Sequence, residues 1–196
     1  MLSPRIRRLK FDHDILLRRL SKWPLIRIDG TAGMPPEVYR FTYFIKGLYV
    51  APNGDILERD SHQLEVNLSL GYPRRAPQCR MLTPVFHPNF DQASVCIGDF
   101  WAASEGLDDL IIRIGRMIAY QEYNTKSPLN GLAAKWVAQH TDLLPVDSRN
   151  IAPSSAGPTE EQSLTTDVTT AQGDVGSEGD TVEEVSTPWD QKIVIS

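Results

Sequence analysis

Apolar residues recur at helical spacing at the start of this chain, alternate partly with polar ones up to about residue 82, and return to helical spacing after residue 106. A run of strands followed by a run of helices predicts an α+β fold rather than a repeating βαβ one. The first helix is set by Ser3 and Pro4, suited to a cap and a first turn, and by Ile6, Leu9, His13, Leu16, Leu17 and Leu20 along one face. Trp23-Pro24 ends it. Strands are expected at Leu25–Ile28, Arg40–Lys46, Gln63–Leu70 and Gln78–Leu82, forming a four-stranded antiparallel meander with a turn at Pro52-Asn53-Gly54. The prolines of Tyr72-Pro73 and Ala76-Pro77 cannot donate to a central ladder, so they mark an irregular crossing.

Beyond that, Leu107, Leu110, Ile111, Ile114, Met117 and Ile118 form one face of a central helix, with Asp108 and Asp109 well placed in its first turn. A short C-terminal helix is expected to open near Pro128 and to turn Leu129, Leu132, Ala133, Trp136 and Val137 inward, ending near His140. Composition then changes. Residues 145–196 carry ten acids against Arg149 and Lys192, whereas residues 1–144 carry fifteen acids against eighteen bases. A slightly basic body, 1–144, is therefore expected to bear an acidic tail, 145–196, too poor in apolar residues to offset its chain entropy. Trp189 to Ile195 is the tail's only large apolar cluster, so the tail is read either as a solubilising appendage or as a tether that hooks a partner.

Composition also narrows the chemistry. Cys79 and Cys96, with His13, His62, His87 and His140 scattered, match neither a disulfide framework nor a zinc-site spacing, so no metal is expected and a reduced, cytoplasmic setting is. No apolar run nears the roughly 20 residues of a membrane span. The body shows no aromatic-interleaved basic stripe, which argues against nucleic acid.

One constellation carries chemistry. His87-Pro88-Asn89 precedes Cys96, with an irregular Asp91–Ser94 approach between. A cysteine can attack a carbonyl and hold the acyl group, and an asparagine amide is a neutral donor for the oxyanion that forms. Cys79 sits within a strand pattern and reads as core. Tyr72, Tyr120 and Tyr123 fit either packing or lining the approach to Cys96, and Arg74 and Arg75 read as a solvated pair.

In this order the segments resemble the ubiquitin-conjugating enzymes over about residues 3–141. Tyr72-Pro73-Arg74-Arg75-Ala76-Pro77 is similar to that family's proline-rich crossing, and Phe86-His87-Pro88-Asn89 to its active-site entry. Val95-Cys96 is similar to its aliphatic-Cys pair, and Asn124-Thr125-Lys126-Ser127-Pro128-Leu129 to the loop that overlooks the cysteine. The resemblance implies a conjugating fold over 1–144 and a thioester between Cys96 and a ubiquitin-like modifier. That modifier would be delivered by an adenylating activating enzyme, which uses ATP; this chain would need no cofactor.

Attack by a substrate lysine would follow, in some cases with a ligase. Asn89 would stabilise the oxyanion or hold the loop that does, Ser127 would orient the amine, and His87 and Pro88 would shape the loop. Asp99 resembles a family acid displaced by one residue. Arg5, Arg8 and Lys10 on the first helix would face a partner, with a solvated face as the alternative for each.

Several departures stand out. The stretch from His87 to Cys96 is one residue shorter than is usual in the family, and the final helices are reduced to one. Such truncation resembles bacterial operon-encoded homologues that act in antiviral defence. The alternative reading is a noncatalytic variant that binds a modifier or its activating enzyme. A cysteine hydrolase, which would need a basic histidine partner, is a third.

Overall fold

The computed structural model describes residues 2–97 and 101–153; Asp99 and the acidic segment beyond 153 lie outside the described residues. Helix α1 spans Pro4–Leu20, and the Ser3 hydroxyl accepts from the Ile6 N–H, as its cap position predicts. Leu9, Leu16 and Leu20 are buried along one stripe, while Leu17 is exposed. Asp12 lies on the buried stripe too, where its carboxylate accepts from the Tyr72 hydroxyl at 2.5 Å and from Arg8 Nε at 2.7 Å. The buried charge is thus paired and hydrogen-bonded, as burial requires.

Strands β1 (Ile26–Ala32) and β2 (Val38–Tyr43) pair antiparallel. Next come β3 (Gly47–Val50) and β4 (Ile56–Arg59), a separate two-stranded hairpin, then β5 (His62–Asn67) and β6 (Gln78–Met81). The main sheet runs β1-β2-β5-β6, all antiparallel, which is the expected meander. On its inner face the register aligns Phe41 with Leu64 and Leu64 with Met81, and beside that row Tyr39 with Val66 and Val66 with Cys79. All six are buried. On the other face Glu65 takes ion pairs from Arg40 and Arg80 across the neighbouring strands.

The β3–β4 hairpin was not expected as strands. Each arm is four residues long, too short for alternation to register, and only the turn at Pro52-Asn53-Gly54 is legible. Gly54 has φ +91, a conformation that glycine adopts without strain.

Helix α2 (Leu107–Ile118) crosses the inner face, where the Tyr43 hydroxyl donates to the Ile111 carbonyl at 2.9 Å. Helix α3 is shorter than predicted, Gly131–Gln139, because Asn130 rather than a residue near Pro128 caps it. The Asn130 side chain accepts from the N–H groups of Leu132 and Ala133. That register turns Ala133, Trp136 and Val137 inward and leaves Leu129 and Leu132 exposed, correcting the expected stripe.

The expected boundary at 144 also moves. Residues 145–153 form a strap against the body, with Ile151 fully buried and its carbonyl accepting from Trp23 Nε1 at 3.0 Å. A Cβ on Gly115 would stand 2.7 Å from Ile151, so only glycine lets the strap close on α2. Asp147 accepts from the Lys46 N–H and from Arg149, whose guanidinium also donates to the Phe44 carbonyl. Burial opposes the charge on Asp147, but Arg149 and the Lys46 N–H outweigh it and bring the carboxyl down to about 2. The sequence misread this segment because one Ile and one paired Asp give no periodic signal.

Candidate active site

Three elements converge on the stretch 86–90. The Phe86 N–H donates to Leu48 of β3 at 2.7 Å, the Tyr120 hydroxyl beyond α2 donates to the Phe86 carbonyl, and the N–H of Asn130, the cap of α3, donates to the Pro88 carbonyl at 3.0 Å. Pro88 and His87 are buried. The His87 ring lies against Phe90 and Tyr120, with centroids 4.8 and 4.6 Å away.

His87 has both ring nitrogens occupied. Nδ1 accepts from the Asn89 N–H at 3.0 Å, which leaves Nε2 to carry the proton toward the Glu122 carbonyl at 3.3 Å. Desolvation by burial pushes its pKa down to about 3, and burial likewise lowers His62 to about 4. Both are therefore neutral in the folded chain near neutral pH. An unfolded histidine titrates near 6.5, so this stability is complete above about pH 6.5 and is lost as pH falls toward 4.

Between pH 7 and 4.5 the two histidines are expected to remove about 2–5 kcal/mol. Glu105, whose carboxyl burial raises, works weakly the other way. Urea midpoints measured at the two pH values check this: equal midpoints would contradict it, and His62→Gln should reduce the difference.

Asn89 is 3% exposed, and its side chain joins two loops. Oδ1 accepts from the Asn124 N–H at 2.7 Å and Nδ2 donates to the Asn124 carbonyl at 3.1 Å. Its backbone carbonyl accepts from the Cys96 N–H at 2.8 Å. Phe90 and Val95 form a bridge, and Asp91 closes the tip by accepting from the N–H groups of Ala93 and Ser94. The short stretch between His87 and Cys96 is thus a tight hairpin whose base ties Asn89 directly to the cysteine.

Cys96 is partly exposed in a cleft of about 210 Å³. Asn89, Asn124 and Ser127 line it together with Arg113 and Glu122, and Ile97, Met117 and Tyr123 supply its apolar wall. The expected residues Cys96, Asn89 and Ser127 therefore meet, with Ser127 exposed at the rim. Tyr72 and Tyr120 are buried packing residues, and Tyr123 alone of the three reaches the cleft. Cys79 is buried, and desolvation raises its thiol to about 12.

Two of the three expected partner-facing residues are occupied within the fold. Arg5 pairs with Glu37 and donates to the Leu68 and Ser69 carbonyls; Arg8 bonds Asp12, Tyr72 and the carbonyls of Ala103 and Glu105. Helical spacing put them on a polar face, but Glu37 and the segment after β5 take up the donors of Arg5, while Tyr72 of the crossing and the 101–105 loop take up those of Arg8. Lys10 remains exposed. Sequence reasoning missed Arg113, which is spaced off the apolar stripe of α2 and carries no motif.

The ubiquitin-conjugating enzyme family model matches residues 35–144, more than half of the chain and all of this site. The chain belongs to the ubiquitin-conjugating enzyme family. Among solved structures, Ubc12 of S. cerevisiae is 23% identical with a TM-score of 0.52, the match covering 71% of this chain and 74% of that one. A chain described as a novel ubiquitin-conjugating enzyme is 17% identical with a TM-score of 0.51, covering 70% of this chain and 87% of that one. These likenesses concern the fold, and they place the conjugating-enzyme fold on the helix, meander and helices described above.

Proposed function

We propose that this protein accepts an activated ubiquitin-like modifier as a thioester on Cys96 and passes it to a lysine amine. The observation that carries the reading is the partly exposed Cys96 in a cleft whose two walls, the hairpin and the 122–127 loop, are joined by the Asn89 side chain. Asn89 holds the loop through both ends of its amide and keeps one N–H for the oxyanion. Ser127 orients the incoming amine; a lysine loses its proton with a reference pKa near 10.4, so proton removal falls to solvent or to a carboxylate, of which Asp99 is the nearest to Cys96 in sequence.

The activation step belongs to an adenylating partner that uses ATP, in a cytoplasmic conjugation system. Lys10 is the exposed member of the expected docking set. The hydrolase reading loses support because the one acceptor nitrogen of His87 is taken by the Asn89 N–H and burial holds its pKa down to about 3, which leaves Cys96 no histidine base there.

A charging assay with activating enzyme, candidate modifier and ATP tests the reading. Wild type is expected to give a reductant-sensitive adduct that becomes reductant-resistant or disappears in Cys96→Ser. No adduct from an activating enzyme shown to load its modifier elsewhere would move the assignment to a noncatalytic modifier-binding protein.

A further inference from the structure

The cleft holds a cation that the reaction as described does not use. Arg113 rises from α2 into the space lined by Cys96 and Asn89. Its Nη2 stands 2.8 Å from Glu105 Oε1, close enough for an ion pair. Yet Nε and Nη2 are both buried and neither donates a hydrogen bond to a described residue. Nη2 has the Glu105 carboxylate as its ionic partner, whereas Nε is a buried donor with no acceptor among the described residues, a condition that costs about 1–3 kcal/mol and that an oxygen brought into the cleft would relieve. The Asn89 amide has a single N–H left for the oxyanion, since Asn124 takes up its oxygen and the other proton, so a second donor has room to act. Ser127 lies exposed at the rim.

We infer that Arg113 is the donor that binds the thioester carbonyl oxygen of the acyl group carried on Cys96, and stabilises it as it becomes an oxyanion. This rests on the transferase reading and adds a residue to it. In the step, the lone pair of the amine adds to the thioester carbon and the carbonyl π pair moves onto oxygen, where the guanidinium N–H groups meet the growing charge. The pair then returns, the C–S bond breaks, and its electrons leave with Cys96 as thiolate. The proton of the new ammonium passes to solvent and an amide remains.

The test uses the full chain charged chemically with ubiquitin prepared as a C-terminal alkyl thioester, so neither an activating enzyme nor the natural modifier is needed. Single-turnover discharge to free lysine is followed over a range of lysine concentrations for wild type, Arg113→Gln, Arg113→Lys and Glu105→Gln. Arg113→Gln is expected to lower the saturating rate about 10- to 100-fold. The lysine concentration at half-maximal rate should stay unchanged, because the donor acts on the acyl oxygen and not on the amine. Lysine at 113 keeps the charge without the planar fork and should restore part of the rate. Glu105→Gln should discharge within about two-fold of wild type.

If Arg113 is only a structural ion-pair partner, its variants and Glu105→Gln will lose rate in parallel with melting temperature, and the inference is overturned. A wild-type rate in Arg113→Gln overturns it as well. Should Arg113→Gln not fold, the same comparison is made between Arg113→Lys and Glu105→Gln. A wild-type thioester that goes to water with no dependence on lysine would sink the transferase reading and this inference together, whereas lysine-dependent wild type with an unaffected Arg113→Gln sinks this inference alone.

Discussion

Asn89→Ala is expected to slow discharge of the charged cysteine about 10²- to 10³-fold while the protein stays folded. Two effects combine. The reaction loses one neutral donor for the oxyanion, and the Asn124 N–H and carbonyl lose the amide that fixes the 122–127 loop over the cysteine. Each hydrogen bond is worth about 0.5–1.5 kcal/mol net, so the stability loss should be about 2 kcal/mol, which a domain with 5–15 kcal/mol survives. Asn89→Asp separates the effects. A carboxylate still accepts from the Asn124 N–H but cannot donate to its carbonyl, and its charge opposes an oxyanion, so it should hold half of the link and be at least as slow as alanine. Single-turnover discharge with a parallel urea melt is the measurement. Transfer within about three-fold of wild type in Asn89→Ala would show that the amide does neither job.

The elements that could be read from the chain are those in which one physical signal acts alone. Ser3 and Pro4 start α1 because capping is local chemistry, β1, β2 and β5 follow from alternation sustained over six or seven residues, and the short β6 is marked by the proline-rich crossing before it. Asn89 and Cys96 could be paired because the hairpin that joins them is short and contiguous. What escaped depends on contacts distant in sequence. Arg5 looks solvated until Glu37 and the Leu68 and Ser69 carbonyls meet it, and Arg8 until Tyr72 and the 101–105 loop do. Nothing local marks Asp12 as buried; its donor comes from Tyr72, sixty residues away. Leu132 looks like core because helical spacing counts it with Ala133 and Trp136, but the face that packs on the body is Ala133, Trp136 and Val137, and Leu132 lies beside it in the first turn. Arg113 has no local signal at all; only the fold places it beside Cys96.

The strap makes the largest demand on stability, and it is why a chain ending at Leu144 should behave differently from one ending at Pro153. Removing 145–153 uncovers the cavity filled by Ile151, whose burial is worth about 2 kcal/mol. Gly115 has no side chain to refill it. The Lys46 N–H, the Phe44 carbonyl and the indole N–H of Trp23 lose their partners in the same stroke, at up to 1–3 kcal/mol for any that stays buried. A loss of about 4–6 kcal/mol is expected, a large part of what a domain of this size has, whereas the chain ending at 153 should melt like the whole protein.

The effect should reach the site as well. Gln121 donates to the Asp147 and Arg149 carbonyls, and its neighbour Glu122 supplies the carbonyl that receives His87. Freed from the strap, the 121–127 segment loses an anchor on the side opposite Asn89, so discharge from Cys96 should slow even at temperatures where the shortened chain remains folded. Urea midpoints and discharge rates for the two truncations decide it: equal midpoints would mean that the strap adds nothing to the fold, and equal rates with unequal midpoints would confine its role to stability.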